Sequence, residues 1–356
     1  MSNRLKIVVY AISVNEAKFA QRFCESARDA DLIFVADTGS TDDTVRILEE
    51  AGATVVHISI KPWRFDDARN TALAMLPADF DVCVSLDLDE VLQPDWREEI
   101  ERVWIPDTTR LRYGFDWGCG IVFQYEKIHA RFGYHWHCPV HEYPVPDPRI
   151  QERWAETDKL LVVHEPDPEK SRGQYLDLLR ISTEENPTEP RNAFYYAREL
   201  SFRSMWREAI VEASRYLDLP RATWPNERCY AMRIIGRCYQ ELGLWESALK
   251  WLRDAASEAP GTREPWHDLA LACYRTSRWA ECLGAALTCL SITHREKLYT
   301  VDPQVWGAAP NDLASIAAWN LGQYGLALEH ARKAVELDPK DIRLRRNLEF
   351  CESKAA

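Results

Sequence analysis

FDVCVSLDLDEVL, residues 80–92, starts as an apolar run and ends in alternating acids, Asp87, Asp89 and Glu90. The apolar part is short and bounded, which suits a buried strand better than a helix. Carboxylates at a strand end are costly unless something cationic is held there. In a strand-end Asp-x-Asp both acids leave the same face and can bracket a divalent cation. Hard oxygen ligands of this kind suit Mn2+ or Mg2+. The plainer reading is a solvated turn, in which DEVLQPDW opens a helix with capping acids. For an isolated Asp-x-Asp the plainer reading is the better one, so the flanking sequence has to decide.

Upstream lie three more apolar, β-rich runs: KIVVYAI (6–12), LIFVADTG (32–39) and TVVHISI (54–60). Amphipathic stretches separate them, NEAKFAQRFCESA (15–27), TDDTVRILEEAG (41–52) and DDARNTALAMLP (66–77). Strand alternating with helix predicts a mostly parallel, Rossmann-like α/β sheet with both faces covered. Ligands of such sheets collect at the carboxyl ends of the strands. ADTGSTDDT (36–44) and SLDLDE (85–90) both fall at such ends, so two acid-rich segments converge on one cleft.

The chain has 356 residues, long for one domain, with 46% hydrophobic and 28% charged residues. This is a globular composition and excludes a disordered chain. A net charge of −12 argues against a protein that coats nucleic acid, though not against a local basic groove. MSNRLKIVVYAISVNE has too short an apolar stretch for a signal peptide or a membrane span, so a cytoplasmic protein is expected. The ten cysteines form no C-x-x-C pair and read as buried free thiols.

After about residue 190 the strand patterns vanish. Leu244-Trp245-x-x-Ala248-Leu249 aligns with Arg278-Trp279-x-x-Cys282-Leu283, and the two tryptophans are 34 residues apart. Met205-Trp206-x-x-Ala209-Ile210 and Gln323-Tyr324-x-x-Ala327-Leu328 repeat the pattern at outer spacings of 39 and 45. A 34-residue period with aromatic, small and Asp-Pro positions is the signature of tetratricopeptide repeats. The longest spacing implies an insertion around SITHREKLYTVDPQVWGAAP (291–310). The expected organisation is an α/β domain over 1–168, a helical linker over 169–190 and an all-α solenoid over 191–356.

Four elements occur in order in the first domain: Asn15-Glu16; Asp37-Thr38-Gly39-Ser40-Thr41-Asp42-Asp43-Thr44; Trp63-Arg64-Phe65-Asp66-Asp67-Ala68-Arg69-Asn70; and Asp87-Leu88-Asp89-Glu90. Together they resemble the family 2 glycosyltransferases, which have the GT-A fold. With the repeats behind it, the chain is similar to bacterial and phage peptide S-glycosyltransferases. The resemblance implies a nucleotide-sugar donor held by Asn15, Glu16, Asp37, Ser40, Arg69 and Asp87. It further implies Asp89 as a metal ligand, and an inverting transfer. On chemistry, Asp37 can accept from a uracil imide or a ribose hydroxyl, though a turn-forming aspartate is the plain alternative. Arg69 can pair with a diphosphate or hold the Asp-x-Asp strand.

Two later stretches complete the site. HWHCPVHEYP (135–144) offers His135, His137, His141 and Glu142. Zinc fits poorly, with no cysteine pair and no fixed motif. An inverting transfer needs a base for the acceptor proton, and Glu142 is the choice, with His141 as alternative or orienting partner. LLVVHEPDPEK (160–170) ends a strand at His164, which the resemblance suggests as a further metal ligand, Glu165 being a substitute.

The donor expected is a UDP-hexose, glucose or N-acetylglucosamine. The acceptor expected is a protein or peptide on the repeat surface. Phage DNA with modified bases, reached through Arg198, Arg203, Arg207, Arg215, Arg221 and Arg228, is a different class of acceptor. Glycan acceptors, self-association through the repeats as a homodimer, and an inactive repeat adaptor are the other readings. No membrane partner is expected.

Overall fold

Strand β1 (Ile7–Ser13) is almost wholly buried, and β2 (Leu32–Asp37), β3 (Thr54–His57) and β4 (Val82–Ser85) pair in parallel around it in the order β3-β2-β1-β4. Helices α1 (Ala17–Ser26), α2 (Thr44–Glu50) and α3 (Phe65–Met75) connect them. This computed structural model describes residues 4–167 and 173–355. They fall into two units, Met1–Ser182 with Lys297–Tyr299, and Thr183–Glu296 with Thr300–Ala356. The expected domain boundary at 168 and the first linker residues, 169–172, lie outside the described residues.

Beyond β4 the sheet departs from the parallel pattern. β5 (Glu90–Leu92) follows the acids, α4 (Trp96–Val103) crosses back, and β6 (Arg110–Gly118) and β7 (Ile121–Ala130) form a hairpin. β8 (Tyr134–His137) and β9 (Tyr143–Pro146) make a separate ribbon, and β10 (Trp154–His164) ends the sheet's chain path. The eight-stranded order is β3-β2-β1-β4-β7-β6-β10-β5, with β7 antiparallel to β4 and β6, and β5 antiparallel to β10. The sheet is therefore mixed, with a parallel half and a half built from a hairpin and a reversed edge. That second half positions the site. Pairing of β5 with β10 sets His164 opposite Glu90, next to Asp89. Pairing of β7 with β4 sets Ile128 opposite Val84 and carries the preceding Lys127 toward the strand's acidic end.

The second unit is a run of antiparallel helix pairs. They are α6 (Pro190–Phe202) with α7 (Trp206–Asp218), α8 (Pro225–Glu241) with α9 (Trp245–Glu258), α10 (Arg263–Arg275) with α11 (Trp279–Ser291), and α12 (Ala309–Asn320) with α13 (Tyr324–Leu337). α5 (Tyr175–Glu185) precedes them and α14 (Ile342–Ala355) closes the array. The four aligned aromatics, Trp206, Trp245, Trp279 and Tyr324, each begin the second helix of a pair. Two residues before each stands a left-handed residue: Ser204 (φ 59°), Gly243 (φ 73°), Ser277 (φ 56°) and Gly322 (φ 74°). Each turn is closed by a six-to-one backbone bond, such as Leu244 N to Tyr239 O at 2.8 Å and Arg278 N to Cys273 O at 2.8 Å. The repeat is thus a repeated helix stop as well as a repeated apolar pattern.

Since a Cβ at φ 73° is strained, Gly243→Ala should lower stability by about 1 kcal/mol. Urea denaturation monitored by circular dichroism measures it, and an unchanged midpoint would show that the turn tolerates the side chain. All ten cysteines are free and all but Cys119 are buried. Burial pushes thiols such as Cys24 and Cys238 up to about 11.

Candidate active site

The carboxyl ends of β1 and β2 are laced together by side chains. Asn15, left-handed at φ 54°, accepts from Thr41 N through Oδ1 (2.8 Å) and donates its own N–H to Ser40 Oγ (2.9 Å). Glu16 N donates to Thr44 Oγ1 at 2.7 Å. Asp37 sits beneath, its side chain only 1% exposed. It accepts from Ser13 Oγ, Gly39 N and Ser40 N at 2.9–3.0 Å, and from Ser40 Oγ. Burial acts to raise its pKa, but the bonds from Ser40, Gly39 and Ser13 outweigh it and hold the carboxyl below the usual range. Asn15, Glu16, Asp37 and Ser40 are therefore one hydrogen-bonded rim. In it Asp37 organises the loop from inside, and its oxygens are engaged by the chain itself.

The second group centres on Arg69. Helix α3 begins at Phe65, so Arg69 lies in its second turn, not the first, and points inward. The guanidinium is 2% exposed. Its Nε donates to Glu142 Oε1 (2.5 Å), Nη1 to Ser85 Oγ (3.1 Å), and Nη2 to Asp87 Oδ1. The plane lies 4.8 Å over the buried Trp136 ring, whose indole N–H donates to Tyr10 OH at 2.8 Å. Tyr10 OH in turn meets His129 Nε2 at 3.1 Å, and burial brings the His129 pKa down to about 4. Asn70 exchanges two bonds with the Trp136 backbone, 2.8 and 2.7 Å, locking α3 to β8.

Lys127 completes the cluster, and no motif in the sequence points to it. Its ammonium lies 3.3 Å from Asp87 Oδ2 and 2.8 Å from Glu90 Oε1. Both Asp87 oxygens are thus held by cations. Burial opposes its ionised form, yet Arg69 and Lys127 hold the carboxyl far below the usual range. Burial pushes the Glu90 carboxyl up to about 7 despite Lys127. Two buried cations therefore face three carboxylates, Glu90 and Glu142 inside and the half-exposed Asp87 at the edge.

Asp89 stands apart from that lattice. Its Oδ2 is 3.4 Å from His164 Nε2, with the two side chains 13% and 9% exposed. Glu165 N donates to the Asp89 carbonyl at 2.8 Å, fixing the edge, and Arg22 pairs with the Glu165 side chain. His164 Nδ1 is buried with no hydrogen-bond partner among the described residues. A carboxylate and an imidazole whose Nε2 faces it are the donor types of a hard divalent cation's partial ligand set. Among the described residues no group of three or more His, Cys, Asp or Glu could hold an ion alone.

The proposed base pair divides. Glu142 is drawn into the cluster by Arg69, whereas His141 adopts a left-handed backbone (φ 52°) and its ring sits 6.0 Å from Tyr175. Phe65 N donates to Pro139 O at 3.0 Å, tying the start of α3 to the same loop. His135 and His137 lie on the ribbon strand β8, opposite Val145 and Tyr143, and join none of these groups.

Residues 9–108 match the family model described as Glycosyl transferase family 2. An uncharacterized glycosyltransferase of Rickettsia felis is 34% identical over 101 residues, covering 28% of this chain and 34% of that protein. One from Rickettsia conorii is 35% identical over 101 residues, again 28% and 34% of the two chains. The chain thus spans about a third of the length of these relatives. Among solved structures, YrrB, a TPR protein with an unusual peptide-binding site, gives a TM-score of 0.40 at 14% identity over 50% of this chain and 83% of its own. A MamA fragment from Desulfovibrio magneticus gives 0.38 at 16% identity over 48% and 86%. The helical-repeat assignment rests on the hairpins and their repeated turns. No helix among the described residues is long and apolar enough to cross a membrane. The N-terminal unit carries a glycosyl transferase family 2 domain, and a tetratricopeptide-like helical array follows it.

Proposed function

We propose that this chain is a metal-dependent inverting glycosyltransferase that moves a hexose from UDP-glucose or UDP-N-acetylglucosamine to a protein or peptide. The observation that carries the reading is the convergence of Arg69, Asp87 and Glu142 at one strand end, with Asp89 and His164 as a separate open pair beside them. Asp89 and His164 would hold Mn2+ or Mg2+, which supplies Lewis-acid stabilisation of the diphosphate leaving group. Arg69 and Lys127 fix Asp87, so the acid edge that meets the ribose is rigid before the donor arrives. The β1–β2 rim takes the nucleoside through the loop that Asp37 orders from beneath. Glu142 removes the acceptor proton and keeps its orientation through Arg69. His141 is the second reading for the base, favoured by the engagement of Glu142 Oε1 with Arg69.

The helical array is the acceptor platform in this reading, because stacked helix pairs present an extended surface suited to peptides. DNA is less favoured. Residues 183–356 carry 23 Lys and Arg against 24 Asp and Glu, close to neutral. Four of the six arginines that could line a basic groove are paired with acids: Arg203 with Glu199, Arg215 with Glu212, Arg221 with Glu189 and Arg228 with Glu258.

Thermal-shift measurements with UDP, GDP and dTDP, each with and without Mn2+, test the donor. A ligand at a hundred times its Kd stabilises by about 2.7 kcal/mol, which raises Tm by several degrees. UDP with Mn2+ should give the largest rise. Stabilisation by GDP alone, or by no nucleotide, rejects the reading.

A further inference from the structure

Strand β6 places Tyr113, Phe115 and Trp117 on one face, at every second residue. The first two are fully buried, but Trp117 is 43% exposed. Its ring is 4.4 Å from that of His164, at an interplanar angle of 32°. The backbone after it turns sharply. Gly118, Cys119 and Gly120 all take positive φ (88°, 52° and 79°), and Asp116 Oδ1 accepts from Gly118 N at 2.8 Å. A large aromatic face is thus fixed at the strand-end rim, where it covers His164 on one side and meets solvent elsewhere. Burying it would recover apolar area, and nothing in the core requires it to be exposed.

The sheet order says what can reach it. The β1–β2 rim and the Asp87 strand, β4, come before β7, β6 and β10 in the order. Trp117 and His164 lie ring to ring, so a diphosphate that meets Asp89 and His164 carries its sugar within reach of the indole face. We propose that Trp117 is the stacking platform for the transferred pyranose of the donor, an inference that rests on the glycosyltransferase reading. The C–H groups on one face of a hexose carry partial positive charge and lie against the electron-rich indole face. Trp117 therefore reads the sugar, while the rim reads the nucleoside.

The test compares UDP with whichever of UDP-glucose and UDP-N-acetylglucosamine binds wild type more tightly, by isothermal titration of the full chain with Mn2+. Trp117→Ala should weaken the sugar nucleotide by about tenfold, the worth of one good aromatic contact, and leave UDP unchanged. Trp117→Phe, which keeps a ring on the same backbone, should recover most of the loss. Equal losses for UDP and UDP-sugar would mean that Trp117 acts only by bracing His164, and would overturn the proposal. So would an unchanged UDP-sugar affinity, including one accompanied by a raised acceptor KM, which would make Trp117 an acceptor contact. If wild type binds UDP but no UDP-sugar, the pyranose platform fails and the nucleotide site stands. If wild type binds neither, the glycosyltransferase reading fails with it.

Discussion

Arg69→Met should cost about 3–5 kcal/mol of stability and remove transfer activity, the largest combined effect of any single change in the N-terminal unit. Met keeps the stem but not the guanidinium, so the charge, its hydrogen bonds and its contact over the Trp136 ring are lost together. Glu142, 10% exposed, then has no cation on Oε1, and Asp87 keeps only Lys127. Asp87 is 41% exposed and can recover some hydration, which places the loss toward the lower end of the range. Arg69→Lys should rescue little. One ammonium cannot replace three divergent N–H donors that reach Glu142, Ser85 and Asp87 together. Equilibrium denaturation together with an assay of UDP release from the sugar nucleotide measures both arms. A variant that folds with wild-type stability would show that the cluster is not held through Arg69.

Much of this arrangement was legible in the sequence, and the unreadable parts share a physical cause. The parallel strands read correctly because β1 and β4 are buried on both faces and so are continuously apolar. The repeats read correctly because an aromatic begins the second helix of each pair, whatever the intervening insertion. Asp89 and His164 were readable as strand-end residues. Their contact depends on the reversed strand β5, three residues long and with no periodicity to detect. Strands β6 and β7 mix charged and aromatic residues, RLRYGFDWG and IVFQYEKIHA, and so escape a reading based on buried runs. Lys127 was invisible for that reason. A lysine in such a strand looks solvent-facing, and only the pairing with β4 brings it under Asp87, 40 residues away. The burial of Asp37 was equally hidden, since a turn aspartate and a ligand aspartate have the same local sequence. Trp117 had no signal at all until its ring was found against His164.

Asp89→Ala should abolish transfer, by about 10³-fold or more, while leaving the melting temperature nearly unchanged. The contrast with Arg69 follows from their surroundings. Arg69 is the shared partner of buried acids. Among the described residues the Asp89 side chain meets His164 alone, and the bond that fixes this edge, Glu165 N to Asp89 O, belongs to the backbone and survives truncation. Loss of Lewis-acid stabilisation worth several kcal/mol accounts for the drop in rate, at about 1.4 kcal/mol per factor of ten. Asp89→Asn tests charge apart from shape, because the amide keeps the volume but cannot offset a diphosphate. It should be nearly as inactive as the alanine variant. The readout independent of turnover is Mn2+ itself: titration followed by electron paramagnetic resonance of the free ion, in the presence of UDP, should show tight binding by wild type. Asp89→Ala and His164→Ala should each weaken it at least about tenfold, the usual effect of disturbing a metal's ligand environment. Full activity of wild type in excess EDTA, or undiminished Mn2+ binding by both variants, would remove the metal from this site.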